Sequence, residues 1–208
     1  MNDYFFGRYF ESIYEGLKNS VYKINKEVIP PDKFFKEIKA ILISLRENKH
    51  KIFFFGNGAS AAFANHMALD FSKNGKIFSR SLSDSALLTA LSNDYTFEDA
   101  FVEFLKIEGV TKNDLVVTIS SSGNSSNIVK VLDFCVLNQL KSLALSGLKG
   151  DNKSFALANF SIFVPMKTYG MVECIHQVFL HLILDESMDI LEWEKTEIQN
   201  MNAKNFKI

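Results

Sequence analysis

Short apolar runs alternate with stretches of helical length along this 208-residue chain, a length that suits one domain. The run at 52–55 is continuous and closes on Gly56, as expected for a strand that is buried on both faces. Because strands that alternate with helices form βαβ units, the predicted fold is α/β, with a parallel sheet between two helical layers. The five predicted strands are residues 52–55, 76–82, 114–120, 141–147 and 160–165.

The first 49 residues are predicted to be helical and to precede this sheet. Residues 1–28 and 32–49 repeat apolar side chains at three- and four-residue spacing, and two prolines separate the two helices. The predicted organisation is an N-terminal helical arm (1–49), a central domain (50–190) and a polar, helical C-terminal tail (191–208). Further helices are predicted at residues 60–73, 83–94, 97–109, 127–138 and 170–188.

Charge and composition argue against several classes of partner. The formal net charge is −1, so no overall field would attract nucleic acid or an anionic membrane. No stretch approaches the roughly 20 apolar residues of a membrane span, and the chain does not open with a basic and apolar leader. Cys135 and Cys174 both fall in apolar helical patterns, as reduced core residues of a cytosolic protein do. We therefore expect a cytoplasmic protein without nucleic-acid or membrane partners.

A cluster of small polar residues at 120–126 follows the third predicted strand and opens a helix. Hydroxyls and free N–H groups at a helix start suit a phosphate, and Gly123 allows a close backbone approach. The alternative is a turn rich in good N-cap residues. The loop lacks Lys, Arg and a G-K-[ST] ending, so we expect a sugar phosphate on neutral donors and no nucleotide cofactor. Right-handed crossovers bring this loop and the loop at 56–60 to one edge of the sheet.

Two predicted helices carry polar side chains in apolar surroundings. His66 and Asp70 share a helix face, which indicates a metal-ligand pair or an acid–base pair, or alternatively an exposed polar pair. Glu173, Gln177 and His181 step along one stripe of the last predicted helix, although a single histidine there is more often a core residue. Together the two helices supply a set of two histidines and two carboxylates.

The order of these motifs resembles that of the SIS (sugar isomerase) family, and within it the phosphoheptose isomerase branch. One motif alone is weak evidence, whereas the ordered set is specific. The resemblance covers roughly residues 35–190. In chain order the motifs are GNGxSA, HxxxD, SNDY, ISSSGNS and a helix with Glu before His.

The resemblance implies a five-stranded parallel sheet in a three-layer, flavodoxin- or Rossmann-like αβα fold, with an N-terminal arm for oligomerisation. It also implies a cytoplasmic homotetramer with active sites between subunits, a sugar-phosphate substrate and a weakly held zinc. The implied reaction interconverts a phosphorylated ketose and aldose through an enediol. The expected pair is sedoheptulose 7-phosphate and glycero-manno-heptose 7-phosphate, in heptose and surface-polysaccharide (lipopolysaccharide or capsule) biosynthesis. The alternatives are a non-catalytic SIS module that binds a sugar phosphate or a protein partner, and an isomerase of another sugar phosphate.

The resemblance also implies residue roles, by position. Asp70 and His181 are the expected catalytic pair, with Asp70 at the family's base position. The expected metal ligands are His66, Asp70, Glu173 and His181. The residues expected to contact sugar or phosphate are Asn57, Gly58, Ala59, Ser60, Asn93, Asp94, Ser120, Ser121, Ser122, Ser125 and Glu173. Without the resemblance, the Asn-Asp pair at 93–94 would indicate only a helix stop.

Four positions depart from the family's usual residues: Ala59 replaces Gly, Asp70 replaces Glu, Met171 replaces Arg and Glu173 replaces Gln. Asp70 is one methylene shorter than the usual base, so its reach differs. Glu173 adds a negative charge, which favours a bound cation. We therefore expect a divergent branch of the kind found in surface-polysaccharide pathways.

Overall fold

The computed structural model describes residues 4–194, which contain seven strands and eight α-helices. The strands are β1 (Val21–Ile24), β2 (Glu27–Ile29), β3 (Lys51–Gly56), β4 (Phe78–Ser81), β5 (Leu115–Ser120), β6 (Lys141–Gly147) and β7 (Phe160–Val164). The helices are α1 (Phe5–Lys18), α2 (Pro31–Glu47), α3 (Ala59–Lys73), α4 (Ser85–Asp94), α5 (Ala100–Ile107), α6 (Ser126–Leu137), α7 (Lys153–Leu157) and α8 (Tyr169–Ser187), followed by a 3-10 turn at Glu192–Glu194.

The seven strands form one sheet in the order β2-β1-β7-β6-β5-β3-β4. The five predicted strands are β3 to β7, and they pair in parallel, as their alternation with helices requires. Gly56 on β3 pairs with Ile119 on β5, and Ser120 pairs with Ser146 on β6. The loops that follow β3 and β5 therefore start at the same edge of the sheet, as predicted.

Residues 21–29 form a β-hairpin, so the predicted continuation of the first helix to residue 28 is wrong. Helix α1 ends at Lys18, and β1 pairs antiparallel with both β2 and β7. Asn25 makes the turn with a φ of 55°, a conformation that Asn tolerates better than most residues. Tyr22 buries its ring against Phe34, at 5.4 Å between ring centroids. The hairpin raises the number of strands from the predicted five to seven.

Two hydrophobic cores lie on opposite faces of the sheet. Phe53 and Phe55 on β3 belong to the core beneath α4, α5 and α6, whereas Ile52 and Phe54 belong to the core beneath α2, α3 and α8. The continuous apolar run at β3 is thus explained by burial of both faces of the strand. This arrangement confirms the predicted three layers.

The two cysteines differ in environment. Cys135 on α6 is buried, as predicted, but Cys174 on α8 is exposed, so its assignment to the core was wrong. The reason is that α8 buries only one side against the sheet, and Cys174 falls on the other side. Most of the predicted C-terminal helix, from residue 195 onward, lies outside the described residues. Across residues 4–194, no helix combines the length and apolar character that a bilayer crossing requires.

Candidate active site

The loop after β3 depends on two glycines. At Gly56, an added Cβ would lie 2.4 Å from the backbone oxygen of Ser60, so any side chain would displace the start of α3. At Gly58, the N-cap residue of α3, φ is 56° and ψ is −125°, a conformation that strongly favours glycine. The tight turn brings the buried Ser60 to the strand edge, while Gly58 and Ala59 remain exposed.

A reciprocal amide pair joins this loop to the serine loop. The Asn57 amide donates to Oδ1 of Asn127 and the Asn127 amide donates to Oδ1 of Asn57, both at 2.9 Å. Asn127, in the first turn of α6, is only 1% exposed. Asn127 was not predicted as a site residue, because neither its burial nor its pairing with Asn57 is visible in the sequence.

Hydrogen bonds within the serine loop (residues 120–126) fix its shape. The Gly123 N–H donates to the Ser120 carbonyl (3.0 Å), and the Ser120 and Ser125 hydroxyls lie 3.4 Å apart. Ser121 is 5% exposed, and its buried hydroxyl has no hydrogen-bond partner among the described residues. Ser125 is the N-cap residue of α6, but its side chain makes no capping bond there. Donors for a ligand therefore remain at the start of this helix.

The serine loop and its neighbours enclose a cavity of about 130 Å³. Its lining includes seven of the predicted residues: Asn57, Ser60, Ser120, Ser121, Ser122, Ser125 and Glu173. Ile119 and Tyr169 complete the lining, and neither was predicted. Among the described residues, the lining contains no Lys, Arg or His side chain, and Glu173 is its one ionisable carboxyl group.

Helix α7 also supports the serine loop through hydrogen bonds. The Gly123 carbonyl accepts hydrogen bonds from the Ser154 N–H (2.9 Å) and the Ser154 hydroxyl (2.8 Å). The Lys153 N–H donates to the side chain of Asn124 at 3.0 Å. An added Cβ on Gly123, whose φ is 64°, would lie 2.1 Å from the Asn152 side-chain oxygen. Glycine is thus required here both by conformation and by space.

A second group of polar side chains lies further along α3 and α8. His66 Nε2 is 3.2 Å from Asp70 Oδ2, and the rings of His66 and His181 are 5.5 Å apart. One ligand atom from each of these three residues lies within 4.8 Å of the other two. Two imidazoles and a carboxylate are a donor set that divalent metals use. The chain thus has a candidate metal site at three of its four predicted ligands.

Glu173 lies outside this group, because it lines the serine cavity near the start of α8. Between the two, the Gln177 side-chain amide nitrogen is 2.8 Å from Nε2 of His181. The predicted polar stripe on α8 is therefore divided: Glu173 faces the serine loop, and Gln177 and His181 contact each other. Helical spacing alone could not show this division, since it does not reveal where α3 crosses α8.

The remaining predicted residues lie elsewhere. Asn93 and Asp94 are exposed at the end of α4, hydrogen-bonded to each other at 3.0 Å, and neither lines the serine cavity. His176, a histidine of α8 that was not among the predicted site residues, is fully buried and donates through Nε2 to the Ser146 carbonyl at 3.1 Å. Burial lowers its pKa from 6.5 to about 4, the carbonyl contact only partly offsetting this, so His176 is a neutral core histidine.

Fold and site together define an open-sheet α/β protein with a donor-lined cavity at the C-terminal strand edge, where such sheets bind ligands. The model of the SIS domain matches residues 32–147, which is more than half of the chain. The chain belongs to the SIS domain family.

Similar proteins support the assignment to the SIS domain family and, within it, to the phosphoheptose isomerase branch. The phosphoheptose isomerase of Helicobacter pylori (strain ATCC 700392 / 26695) is 33% identical over 156 residues, covering 72% of this chain and 80% of the relative. Phosphoheptose isomerase 2 of Campylobacter jejuni is 31% identical over 189 residues, covering 88% and 90%. A solved phosphoheptose isomerase from Neisseria gonorrhoeae has a TM-score of 0.74 at 24% identity, covering 88% and 95%, and supports the fold. The family resemblance drawn from motif order is confirmed.

Proposed function

We propose that this chain is a sugar-phosphate isomerase, and specifically one that interconverts sedoheptulose 7-phosphate and glycero-manno-heptose 7-phosphate. One observation carries the proposal: the serine cavity and the His–Asp group lie at two levels along the same helices, α3 and α8. His66 lies six residues beyond Ser60 and His181 eight beyond Glu173, about 9 and 12 Å of helix rise. That spacing suits a sugar with its phosphate far from its reacting carbons. The names of the similar proteins support the heptose substrate.

The serine cavity would hold the phosphate. Ser121 offers a buried hydroxyl without a partner among the described residues, and the α6 N-terminus adds N–H donors and the positive end of its dipole. Because these donors are fixed by the strand edge and by α7, little ordering is needed when the substrate binds. The phosphate thereby supplies binding energy that positions the reacting end of the sugar.

Asp70 and His181 would carry out the proton transfers. Asp70 removes a proton from C1 of the ketose while His181 donates one to the C2 carbonyl oxygen, which gives the cis-enediol. Returning a proton to C2 and removing the C1 hydroxyl proton completes the aldose with no net change in composition. The imidazole of His66, 3.2 Å from the Asp70 carboxylate, would hold that carboxylate in position.

The donor set of His66, Asp70 and His181 fits zinc, which accepts imidazole nitrogen and carboxylate oxygen. A bound zinc ion would polarise the oxygens of the open-chain sugar. Asp70 cannot be a tight ligand and a free base at once, so we expect weak binding of the metal. Glu173, placed at the cavity, would act on a sugar hydroxyl rather than complete this group.

A homotetramer with sites completed by neighbouring subunits is part of the proposal. The outer face of α1 exposes a run of aromatic rings, and α8 exposes Val178 and Leu182. Exposed apolar surface of this extent marks interaction sites in soluble proteins. Residues 1–49 would act as the oligomerisation arm, 50–190 as the SIS domain and 191–208 as the tail. The exposed aromatic residues of α1 and the residue before it are Tyr4, Phe5, Phe6, Phe10 and Tyr14.

Asn93 and Asp94 would contact substrate in such an assembly, since their exposed position in one chain leaves them available to a neighbour's site. Gly58 and Ala59, exposed beside the cavity, would contact the sugar.

We place the enzyme in the cytoplasm, where it would supply heptose for the synthesis of surface polysaccharide.

The direct test is to incubate the full chain with sedoheptulose 7-phosphate, with and without zinc, and to follow heptose 7-phosphate by NMR. His181→Gln should lower kcat by at least ~10²-fold, because the amide cannot exchange protons as imidazole does. The matched control is His50→Gln, a histidine before β3 on the opposite edge, which should leave kcat unchanged.

Absence of conversion under both conditions would reject this substrate, and a panel of phosphorylated hexuloses and pentuloses would then identify another. Binding of every sugar phosphate without turnover would instead favour the non-catalytic SIS module. An unchanged rate in His181→Gln would remove His181 from the mechanism.

A further inference from the structure

Lys23 is a buried lysine that the isomerase chemistry does not use. It lies in the middle of the hairpin strand β1 and is only 7% exposed. Its ammonium group donates to the backbone carbonyls of Phe155 and Ala156, the latter at 3.0 Å, and lies 4.9 Å from the centre of the Phe155 ring. A buried ammonium group is costly unless such acceptors surround it, so its position is closely determined.

The carbonyls that hold Lys23 belong to the last turn of α7. A cation is favourable at the C-terminal end of a helix, where the carbonyl groups lack intrahelical partners. The Ser161 hydroxyl, on β7, also donates to the Phe155 carbonyl at 3.2 Å. The C-terminal end of α7 is therefore fixed to the edge of the sheet through β1 and β7.

The opposite end of α7 holds the serine loop. Ser154 donates twice to the Gly123 carbonyl, and Lys153 donates to Asn124, with distances of 2.8 to 3.0 Å. Because α7 has only five residues, its two ends are about 7 Å apart and are joined by little more than one helical turn. A contact at one end thus sets the position of the loop at the other.

We propose that Lys23 is a positioning residue that fixes the phosphate-binding serine loop through α7. The inference rests on the proposed function, since it assigns the loop to phosphate. Among the described residues, the hydrogen bonds of the Lys23 ammonium group go to α7 and not to the cavity lining, so its effect on the loop would pass through α7. Loss of its ammonium group should therefore weaken binding of the phosphate end and leave the proton-transfer step largely intact.

The test uses inorganic phosphate as the probe and the full 15N-labelled chain. In the wild-type protein, phosphate should shift the backbone amide signals of Gly123 and Asn124. In Lys23→Met, the apparent Kd for phosphate and the KM for sedoheptulose 7-phosphate should each rise about tenfold, with kcat within about twofold. Lys26→Met, an exposed lysine at the hairpin turn, is the matched control and should change neither constant.

The possible outcomes distinguish failure of the proposed phosphate site from failure of the proposed role of Lys23. If wild-type Gly123 and Asn124 signals do not respond to phosphate, the phosphate site itself is wrong and the role of Lys23 is overturned with it. If they respond, but Lys23→Met binds phosphate as wild type does, only the role of Lys23 is overturned.

Should Lys23→Met fail to fold, Ser154→Ala tests the same connection, because it removes one bond between α7 and Gly123. A rise of about threefold in the phosphate Kd supports the connection through α7. An unchanged Kd in Ser154→Ala would contradict it.

Discussion

The serine cavity and the His–Asp group are built in opposite ways. The cavity is formed by loops at a strand edge, and its backbone and side chains are fixed by bonds to α6 and α7. The His–Asp group is formed by side chains on two helices, and the His66 side chain is 47% exposed. The cavity is held by hydrogen bonds within one chain, whereas the His–Asp group reaches the surface of two helices through His66.

This difference indicates that the two regions have different roles, substrate binding for the serine cavity and proton transfer for the His–Asp group. A rigid set of hydroxyl and N–H donors suits a group that does not react, because its geometry need not change during catalysis. Proton transfer instead requires groups whose protonation changes, and an open arrangement leaves room for substrate and for a neighbouring subunit. Variants in the open region should therefore change rate, and variants in the rigid region should change stability and substrate binding.

The largest effect is expected in the open region. Asp70→Asn removes the proposed base with almost no change of shape, so kcat should fall by about 10³-fold while KM changes little. Steady-state kinetics with sedoheptulose 7-phosphate measures both. Asp70→Glu, which restores the family's usual carboxylate, is the matched control and should keep activity within about tenfold of wild type. A loss in Asp70→Asn that appears in KM alone would assign Asp70 to binding rather than to proton transfer.

The next effect concerns the rigid region. In Gly123→Ala, the new methyl group would lie 2.1 Å from the Asn152 side-chain oxygen. The alanine would also have to adopt the left-handed φ of 64° that Gly123 has. We expect strain and overpacking to lower the free energy of unfolding by about 3 kcal/mol and to weaken phosphate binding. Denaturant unfolding and phosphate titration measure the two effects.

Gly109→Ala separates strain from crowding. Gly109 has a similar φ of 63°. Apart from its two neighbours in the chain, no described residue has a heavy atom within 4 Å of the added Cβ. It should lose only about 1 kcal/mol, from the left-handed conformation. Equal decreases in the free energy of unfolding of the two variants would show that the Asn152 side chain does not crowd residue 123.

Local patterns predicted the parallel sheet, the serine loop and its meeting with the loop after β3 at one edge. The resemblance to the SIS family, and not a local pattern, singled out Asn57, Ser60 and Glu173 of the cavity lining. The hairpin at 21–29 was missed since its apolar residues also satisfy helical spacing, and only the Asn25 turn distinguishes the two. The separation of Glu173 from His181, and the pairing of Asn57 with Asn127, depend on how distant elements cross. Periodicity within one helix contains no information about that crossing.

A further prediction concerns the two histidines on α8 that differ in burial, the half-buried His181 and the buried His176. Burial lowers the His176 pKa to about 4 in the folded protein, whereas the unfolded chain has the ordinary value of 6.5. As pH falls below 6.5 the unfolded state takes up the proton first, so stability is lost until pH reaches the folded pKa. Between pH 7 and pH 5 the loss from this one group should be about 2 kcal/mol.

Denaturant unfolding at several pH values, with His176→Gln as the comparison, isolates this contribution. Glutamine can still donate to the Ser146 carbonyl but does not titrate, so the variant should lose about 2 kcal/mol less than wild type over the same range. Other titrating groups are common to both proteins and cancel in the difference. Parallel pH profiles would mean that His176 is solvated or charged in the folded protein, and the core between α8 and β6 would then be as open as the His–Asp group.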